Sequence, residues 1–248
     1  MKMKKIWTEK YKIHSYEVDL RASATLPVLC QFMQESAWRH AENMGFGFSY
    51  LKDQDFVWVL ARQNVKMNAF PKWGDTIKIE TQPLGVEKLF FFREFRLSDA
   101  NGNSLGYATT AWFIMDLNKR RPQRPNKYFG DRLNKLGLAT FEKPAKLEAD
   151  DAPEYSGKTK AGYSDLDVNG HVNNVRYLGW FLDALPLEFL KSHFIREMAI
   201  NYLAEAQYGE ELEIGYREHE GLLLTHAVTN EQGKVLCRAK TKWQAEKA

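Results

Sequence analysis

The sequence predicts an α+β protein built from two similar units, each with one long helix and several antiparallel strands. Two observations lead to this prediction. The order of one strand, one helix and four strands occurs twice along the 248 residues, with Gly, Asn and Asp at several turns between strands. In addition, the segment that begins at Asp99 matches the segment that begins at Asn230. Strand-rich order around a single helix is typical of α+β domains, and the match indicates a duplication.

The first unit is expected to begin with a strand between Trp7 and Asp19 and to continue with a long helix. Thr25 is a good N-cap, Pro27 fits the first helical turn, and apolar residues then follow at helical spacing until Gly45. The turns PKWGD and SDANGN are typical of hairpins. Four strand-like runs follow the helix, at 57–70, 76–81, 89–97 and 104–117.

The second unit is expected to follow the same order. A short strand leads to a polar loop at Ser164, and a helix then extends to about Leu185. Four further strand-like runs lie near 197–204, 211–216, 222–229 and 235–243. Residues 131–155 are rich in Lys, Pro, Asp and Glu, so we interpret them as a linker between a first unit, 1–130, and a second unit, 156–248.

The repeat also aligns parts of the two units. Placing Asp99 on Asn230 is an offset of 131, and it superposes the pairs Gly102/Gly233, Leu105/Leu236, Ala108/Ala239, Thr110/Thr241 and Trp112/Trp243. The turn at 73–75 matches the turn at 208–210 with an offset of 135. For the loop before each helix we place 19–25 on 165–171, an offset of 146. The first copy then lacks the His and Asn of the second, which predicts one active site, in the second unit.

Composition excludes several classes of protein. Hydrophobic residues make up 44% and aromatic residues 13% of the chain, as in globular proteins. No apolar run reaches the roughly 18 residues of a membrane span, and the start lacks the apolar segment of a signal peptide, so we expect no membrane association and a cytoplasmic, bacterial protein. The two cysteines, Cys30 and Cys237, provide no disulfide framework and no four-ligand zinc site. A net charge of +3 does not indicate nucleic acid binding.

The stretch from Ser164 to Trp180, SDLDVNGHVNNVRYLGW, carries the candidate chemistry. In its polar loop Asp167, Asn169 and His171 alternate, so their side chains could converge just before the helix. A helix N-terminus has unpaired N–H groups and partial positive charge, which would stabilise a carbonyl oxygen that becomes an anion. The alternative is that these residues only cap the helix, because Asn and Asp are common N-caps.

The string DVNGHVNNVRYLGW resembles the active-site motif of the acyl-acyl-carrier-protein thioesterases, which release fatty acids from their carrier. The resemblance covers nearly the whole chain, since WVLAR at 58–62, PKWGD at 71–75 and the segment 112–122 are also similar to that family. It implies two tandem hotdog units, each an antiparallel β-sheet wrapped around a long α-helix. It also implies an activity: hydrolysis of acyl-carrier-protein thioesters at the end of fatty acid synthesis.

The resemblance extends the candidate site. Glu205, in NYLAEAQYGEEL, matches a catalytic Glu of the family, whereas Ala206 stands where many plant members have Cys. Because alanine forms no thiolate, the chemistry implied here is general-base attack by water, with His171 and Glu205 acting together. Asn169 would hold the carbonyl oxygen and Asp167 would orient its neighbours. The role of each carboxylate, and direct attack by one of them, stays open. No metal and no cofactor are required.

The resemblance also implies an acyl-chain pocket in the first unit and an acidic partner, the acyl carrier protein with its phosphopantetheine-linked acyl chain. Candidates for the pocket are Phe32, Met33 and Trp58, although residues of this kind are more often ordinary core. Candidates for carrier docking are four clustered cations: Lys119, Arg120, Arg121 and Arg124. Such a cluster is more often just a solvated loop.

Two other functions remain open at this point. A hotdog thioesterase that acts on coenzyme A esters would use the same thioester chemistry, and a non-catalytic acyl-binding protein would keep the fold without turnover. The sequence determines neither the length and saturation of the acyl chain nor whether the protein is a monomer or a homodimer.

Overall fold

The computed structural model of the chain describes residues 5–125, 140–149 and 153–246. The chain divides into two compact units, Met1–Pro144 and Ala145–Ala248. Parts of the predicted linker, 131–139 and 150–152, lie outside the described residues. Each unit is an antiparallel sheet with helices, so the predicted α+β class is confirmed.

The described residues of the first unit form six strands and two α-helices. The strands are β1 (Trp7–Lys12), β2 (Phe56–Met67), β3 (Thr76–Glu87), β4 (Phe90–Ser98), β5 (Ser104–Asp116) and β6 (Arg121–Gln123); the helices are α1 (Leu26–Asn43) and α2 (Phe48–Lys52). Strands lie in the order β1-β3-β4-β5-β2, with β6 beside the end of β5, and these pairings are antiparallel. The predicted opening strand is too long, because the chain leaves β1 at Lys12 and forms a 3₁₀ turn at Ser15–Glu17.

Helix α1 begins and ends where the sequence predicts. The Thr25 side chain accepts a hydrogen bond from the N–H of Val28 at 3.4 Å, and Pro27 occupies the first turn, where its missing N–H costs nothing. The helix ends before Gly45, whose φ of +77° suits glycine. Its buried face lies against β3 and β1. A cluster of buried apolar side chains continues this core through α2 and the sheet: Ala41, Phe46, Leu51, Phe91 and Ile114.

The second unit repeats this arrangement, with five strands and two α-helices among residues 145–149 and 153–246. The strands are β7 (Tyr155–Lys160), β8 (His193–Tyr202), β9 (Glu211–His219), β10 (Leu223–Asn230) and β11 (Val235–Ala245); the helices are α3 (Asn174–Asp183) and α4 (Leu187–Ser192). Strands lie in the order β8-β11-β10-β9-β7, all antiparallel. Helix α3 ends two residues before the predicted Leu185, and the short α4 follows Pro186.

Two of the three repeat alignments agree with the structure. At an offset of 131 the turns are closed by the same bonds, from Asp99 N–H to the Asn103 carbonyl and from Asn230 N–H to the Lys234 carbonyl, both 3.0 Å. The alignment with an offset of 135 also agrees. Gly74 and Gly209 both have positive φ, and each N–H donates to the carbonyl of the residue just after the opening strand of its own unit, Ile13 or Ala161. The duplication predicted from these segments is therefore present in the backbone.

The third alignment, of the loops before the helices, is wrong by two residues. In the structure the N-cap Thr25 corresponds to the N-cap Asn173, and the loop bond from Asp19 N–H to the Ser23 carbonyl corresponds to that from Asp167 N–H to the His171 carbonyl. The correct offset is 148. The error arose because an Asp-Leu pair occurs in both loops, at 19–20 and at 165–166. The sequence alignment superposed these identical residues, whereas the true correspondence follows from backbone hydrogen bonds that the sequence does not show.

Residues 140–149 pack on the sheets. In the first unit Phe141 stacks on Tyr107, with ring centroids 3.9 Å apart, and the Thr109 hydroxyl donates to the Glu142 carbonyl at 2.8 Å. In the second unit the Asn201 side chain binds the backbone of Ala145 and Leu147. Within the predicted linker, residues 141–142 therefore bind to the sheet of the first unit, and residues 145–147 bind to the sheet of the second unit.

We predict that Gly106→Ala, in β5, destabilises the protein by about 1–3 kcal/mol, because the added Cβ would collide with the Lys66 carbonyl oxygen in the paired strand β2. Gly157→Ala, in β7, is the control, since its Cβ would meet no atom within 4 Å. The measurement is urea unfolding of both variants and the parent. Equal stability of the three proteins would contradict the tight approach of β2 and β5 at Gly106.

Candidate active site

Asp167 organises the loop that precedes α3. Its Oδ1 accepts hydrogen bonds from the N–H groups of Asn169, at 2.8 Å, and His171, at 3.4 Å, while its own N–H donates to the His171 carbonyl at 2.8 Å. Gly170 turns the chain with a φ of +76°. These bonds fix the backbone of the loop, as expected for an Asp that begins a tight turn. Asn169 is exposed, and its amide lies 3.5 Å from Asp167 Oδ2.

His171 and Glu205 form the only paired acid and base among the predicted site residues. His171 Nε2 lies 3.3 Å from Glu205 Oε2, and both side chains are about one quarter exposed. A neutral imidazole beside a carboxylate carries its proton on the nitrogen that faces the carboxylate, so Nδ1 keeps its lone pair. The pair can therefore accept a proton while remaining open to a substrate.

Glu205 is held in place through the residue that follows it. The N–H of Ala206 donates to the hydroxyl oxygen of Tyr177, on α3, at 2.9 Å, and the Ala206 carbonyl accepts from the N–H of Val172 at 3.4 Å. Ala206 and Tyr177 are buried, and burial raises the pKa of Tyr177, which therefore stays a neutral phenol. Sequence reasoning did not identify Tyr177, although a tyrosine on the apolar face of a helix requires a polar partner for its hydroxyl group.

The cap of α3 is Asn173, and not one of the three predicted residues. Its side chain accepts from the Val175 N–H at 3.0 Å, and its own N–H donates to the Asp165 carbonyl at 2.8 Å. Asp165 is buried and binds Arg176 in the first turn of α3 at 2.6 Å. Capping of α3 therefore does not account for Asp167, Asn169 or His171. The Asp167 carboxylate holds the loop backbone, and the side chains of Asn169 and His171 do not cap the helix.

The corresponding loop of the first unit has a different set of side chains. With the corrected offset, Arg21 replaces Asn169, Ser23 replaces His171 and Phe70 replaces Glu205. Asp19 keeps the turn-forming role of Asp167, and it also binds the Arg21 guanidinium at 2.6 Å. Lys72 donates to the Ser23 hydroxyl at 2.7 Å. The first unit keeps the backbone of the loop but not the His–Glu pair.

The predicted substrate-binding residues lie in the first unit. Met33 is buried, Phe32 stacks on Tyr11 with centroids 4.3 Å apart, and Trp58 packs edge-on against Phe91 at 4.7 Å. The acyl pocket that these three residues were expected to line stays a prediction. A cleft of about 610 Å³ on the same unit is lined by none of these three residues, but by two tryptophans and five charged or amide side chains: Trp7, Glu9, Glu35, Trp38, Arg39, Glu42 and Asn43.

The predicted carrier-docking cations are exposed on and around β6. Lys119 lies 3.9 Å from Asp116, and Arg120 has a φ of +51° in the turn that leads to the strand. The members of the cluster are Lys119, Arg120, Arg121 and Arg124. Their exposure leaves this basic surface accessible to an acidic partner.

Both thiols are in the cores, as expected. Burial raises the pKa of Cys30 to about 12 and the pKa of Cys237 well above its usual range. Within residues 5–125, 140–149 and 153–246, no group of three or more His, Cys, Asp and Glu side chains is arranged to hold a metal ion. No helix in the described part of the chain is long and apolar enough to cross a membrane.

Comparison with known proteins identifies what the chain resembles. Residues 4–130 match the family model of the acyl-ACP thioesterase N-terminal domain, where ACP is acyl carrier protein, and residues 148–245 match the C-terminal domain. An Arabidopsis thaliana relative, oleoyl-acyl carrier protein thioesterase 2, is 32% identical over 81% of this chain and 60% of its own length. The chain thus spans about three fifths of the first curated relatives it matches.

Solved structures extend the similarity to the whole fold. An acyl-ACP thioesterase from Bacteroides thetaiotaomicron is 29% identical with a TM-score of 0.88, and the match covers 97% of this chain and 98% of that one. The 12:0-ACP thioesterase from Umbellularia californica is 26% identical with a TM-score of 0.85 and the same coverage. The predicted double hotdog is confirmed by this similarity.

Tyr177→Phe is expected to lower the free energy of unfolding by about 1–3 kcal/mol, because it leaves the buried N–H of Ala206 without an acceptor. Tyr155→Phe removes the hydroxyl group of a half-exposed tyrosine whose ring stacks on Tyr216, and it is the matched control. Chemical unfolding compares the two variants with the parent. Similar stability of both variants would show that the bond between Tyr177 and Ala206 does not stabilise the fold.

Proposed function

The chain belongs to the acyl-acyl-carrier-protein thioesterase family, and we propose on this basis that it hydrolyses acyl-ACP thioesters to free fatty acids. The observation that carries the proposal is the His171–Glu205 pair, 3.3 Å apart and partly exposed, beside the N-terminus of α3. A base next to an anion-stabilising helix end is what hydrolysis of a thioester requires.

In the proposed reaction, water attacks the thioester carbonyl carbon and gives its proton to the pair of His171 and Glu205. The carbonyl oxygen becomes an oxyanion as the tetrahedral intermediate forms. When that intermediate collapses, the carbon–sulfur bond breaks, and the same proton is returned to the leaving thiol of the carrier. The products are a fatty acid and the free thiol of the carrier's pantetheine arm.

Asn169 is the proposed donor to the oxyanion. Its side chain is exposed, and its backbone is fixed by the Asp167 carboxylate, so the amide is presented without costly rearrangement. Helix α3 begins three residues after His171, and its positive end favours negative charge in the same region. Asp167 would act as a positioning residue, since its Oδ1 accepts hydrogen bonds from the backbone N–H groups of Asn169 and His171.

The proposed partner is the acidic carrier protein itself. The exposed cations from Lys119 to Arg124 would attract it over a distance, which predicts that KM rises with ionic strength. Similarity to relatives named for oleoyl and dodecanoyl substrates does not select a chain length for this chain. The first unit, which lacks the His–Glu pair, would bind the acyl chain.

To test the proposed function, the purified protein is incubated with medium-chain and long-chain acyl-ACP thioesters and the release of fatty acid is followed. We expect turnover on at least one of them, a loss in kcat of about 1,000-fold for His171→Ala, and a loss of about 100-fold for Glu205→Gln, because each removes part of the base. The first unit offers a control, since His14 pairs with Glu17 at 3.0 Å on its surface. His14→Ala should leave kcat unchanged.

Turnover that survives His171→Ala would exclude the proposed base, and release of fatty acid from no acyl-ACP thioester would exclude the proposed function. Faster release from the matching CoA esters would favour the acyl-CoA thioesterase alternative. Binding of acyl groups without release would favour a non-catalytic acyl-binding protein.

The proposed mechanism also predicts resistance to thiol reagents. Cys30 and Cys237 are buried with raised pKa values, and Ala206 provides no thiol at the site. Iodoacetamide at neutral pH should therefore leave the activity of the folded protein intact, and mass spectrometry should find alkylation only after unfolding. Loss of activity together with alkylation of the folded protein would point to a thiol in the mechanism.

A further inference from the structure

Three large apolar side chains are strongly exposed around the candidate active site. Tyr163 is 85% exposed, Val168 is 77% exposed and Tyr208 is 67% exposed. Single exposed apolar residues are common on protein surfaces, but neighbouring ones that surround a reactive site indicate a contact surface. Val168 lies between Asp167 and Asn169, so this surface begins at the site itself.

Hydrogen bonds join the three segments that carry these side chains. The N–H of Asn173 donates to the Asp165 carbonyl at 2.8 Å, and the N–H of Val172 to the Ala206 carbonyl at 3.4 Å. The N–H of Gly209 donates to the Ala161 carbonyl at 2.8 Å. The tips at Tyr163, Val168 and Tyr208 therefore lie on one edge of the second unit, which we call the aromatic rim.

The rim carries little charge at its tips. Among the residues beside the three apolar ones, only Asp167 is charged, and its Oδ1 accepts hydrogen bonds from the N–H groups of Asn169 and His171. The nearby carboxylates are used internally: Asp165 binds Arg176, and Glu210 binds the Gln207 N–H and the Asn230 amide. A partner that meets the rim would therefore make apolar and amide contacts rather than ion pairs.

We infer that the aromatic rim is the contact surface for the protein part of the acyl-ACP substrate, an inference that rests on the proposed function. The thioester is tethered to its carrier, so the carrier surface must come close to the mouth of the site when the acyl group reaches His171. Side chains that are 67–85% exposed project outward and do not enclose a slender pantetheine arm. Exposed tyrosines of this kind are enriched where proteins meet proteins.

The rim and the basic cluster would contribute differently to carrier binding. Charged residues such as Arg120 and Arg121 act over a distance and are screened by salt. Contacts made by Tyr163 and Tyr208 act only at short range, and salt changes them little. The inference therefore predicts a contribution to KM that persists at high ionic strength.

The first unit provides a matched control for this surface. Trp73 occupies the position of Tyr208 and is 62% exposed, and Tyr16, next to the same loop, is 81% exposed. The loop there lacks the His–Glu pair, since Ser23 and Phe70 replace His171 and Glu205. Substituting Tyr16 and Trp73 therefore alters a similar aromatic surface in the unit that lacks the proposed catalytic residues.

The experiment compares the double variant Tyr163→Ser/Tyr208→Ser with Tyr16→Ser/Trp73→Ser and the parent. Each is assayed on an acyl-ACP thioester and on the acyl-pantetheine ester with the same acyl group, at low and at high salt. For the rim variant we expect KM for acyl-ACP to rise about 10-fold at both salt concentrations, with kcat nearly unchanged. Its kcat/KM for acyl-pantetheine, and all constants of the first-unit variant, should stay within about twofold of the parent.

Several outcomes would overturn the inference. An equal loss on acyl-ACP and acyl-pantetheine would show that the rim acts on the reaction or the arm, and not on the carrier protein. An equal rise in KM for the first-unit variant would show that the effect is not specific to the rim. A change in the oligomeric state of the rim variant, measured by light scattering, would show that the rim serves self-association. If the parent hydrolysed acyl-pantetheine as efficiently as acyl-ACP, the protein would be a thioesterase that makes no productive contact with the carrier, and the inference would be wrong. Failure of the parent on both esters would instead reject the proposed function.

Discussion

The backbone of Ala206 is the link on which the candidate site depends. Its N–H and carbonyl groups bind Tyr177 on α3 and Val172 beside His171, and so join the segment that carries Glu205 to the loop that carries His171. Both bonds are buried or partly buried, where an unpaired backbone group is costly. An alanine suits this place because its backbone does the binding and its small side chain fits a buried position.

The two units show how one loop backbone can carry different side chains. Asp19 and Asp167 form the same turn, so the backbone geometry is retained in both. In the first unit Arg21 and Lys72 then occupy the neighbourhood, held by Asp19 and Ser23. The Arg21–Asp19 pair is partly exposed and adds at most about 1 kcal/mol to stability. The reactive groups of the second unit are therefore not needed for folding, which supports a chemical role for them.

Two exposed surfaces of the protein differ in charge: the basic cluster and the aromatic rim. The cations from Lys119 to Arg124 are exposed and would act through long-range attraction. The rim around His171 is aromatic, and its neighbouring carboxylates are satisfied within the unit. An acidic carrier that is attracted first and then held by short-range contacts would use both surfaces, since steering and close fit depend on different interactions.

The sequence by itself determined the α+β class, the duplication and the limits of α1, because these follow from local patterns: capping, periodicity and hairpin turns. It proposed Asp167, Asn169 and His171 from one polar loop, and Glu205 only through the family resemblance. It placed the loops of the two units two residues out of register, because chance identities at Asp19 and Leu20 resemble those at Asp165 and Leu166. Only the tertiary structure showed that Asn173 is the cap of α3 and that Tyr177 holds Ala206. It also brought Glu205 to His171, since a contact between residues 34 positions apart depends on how strands and helix pack, which no local pattern encodes.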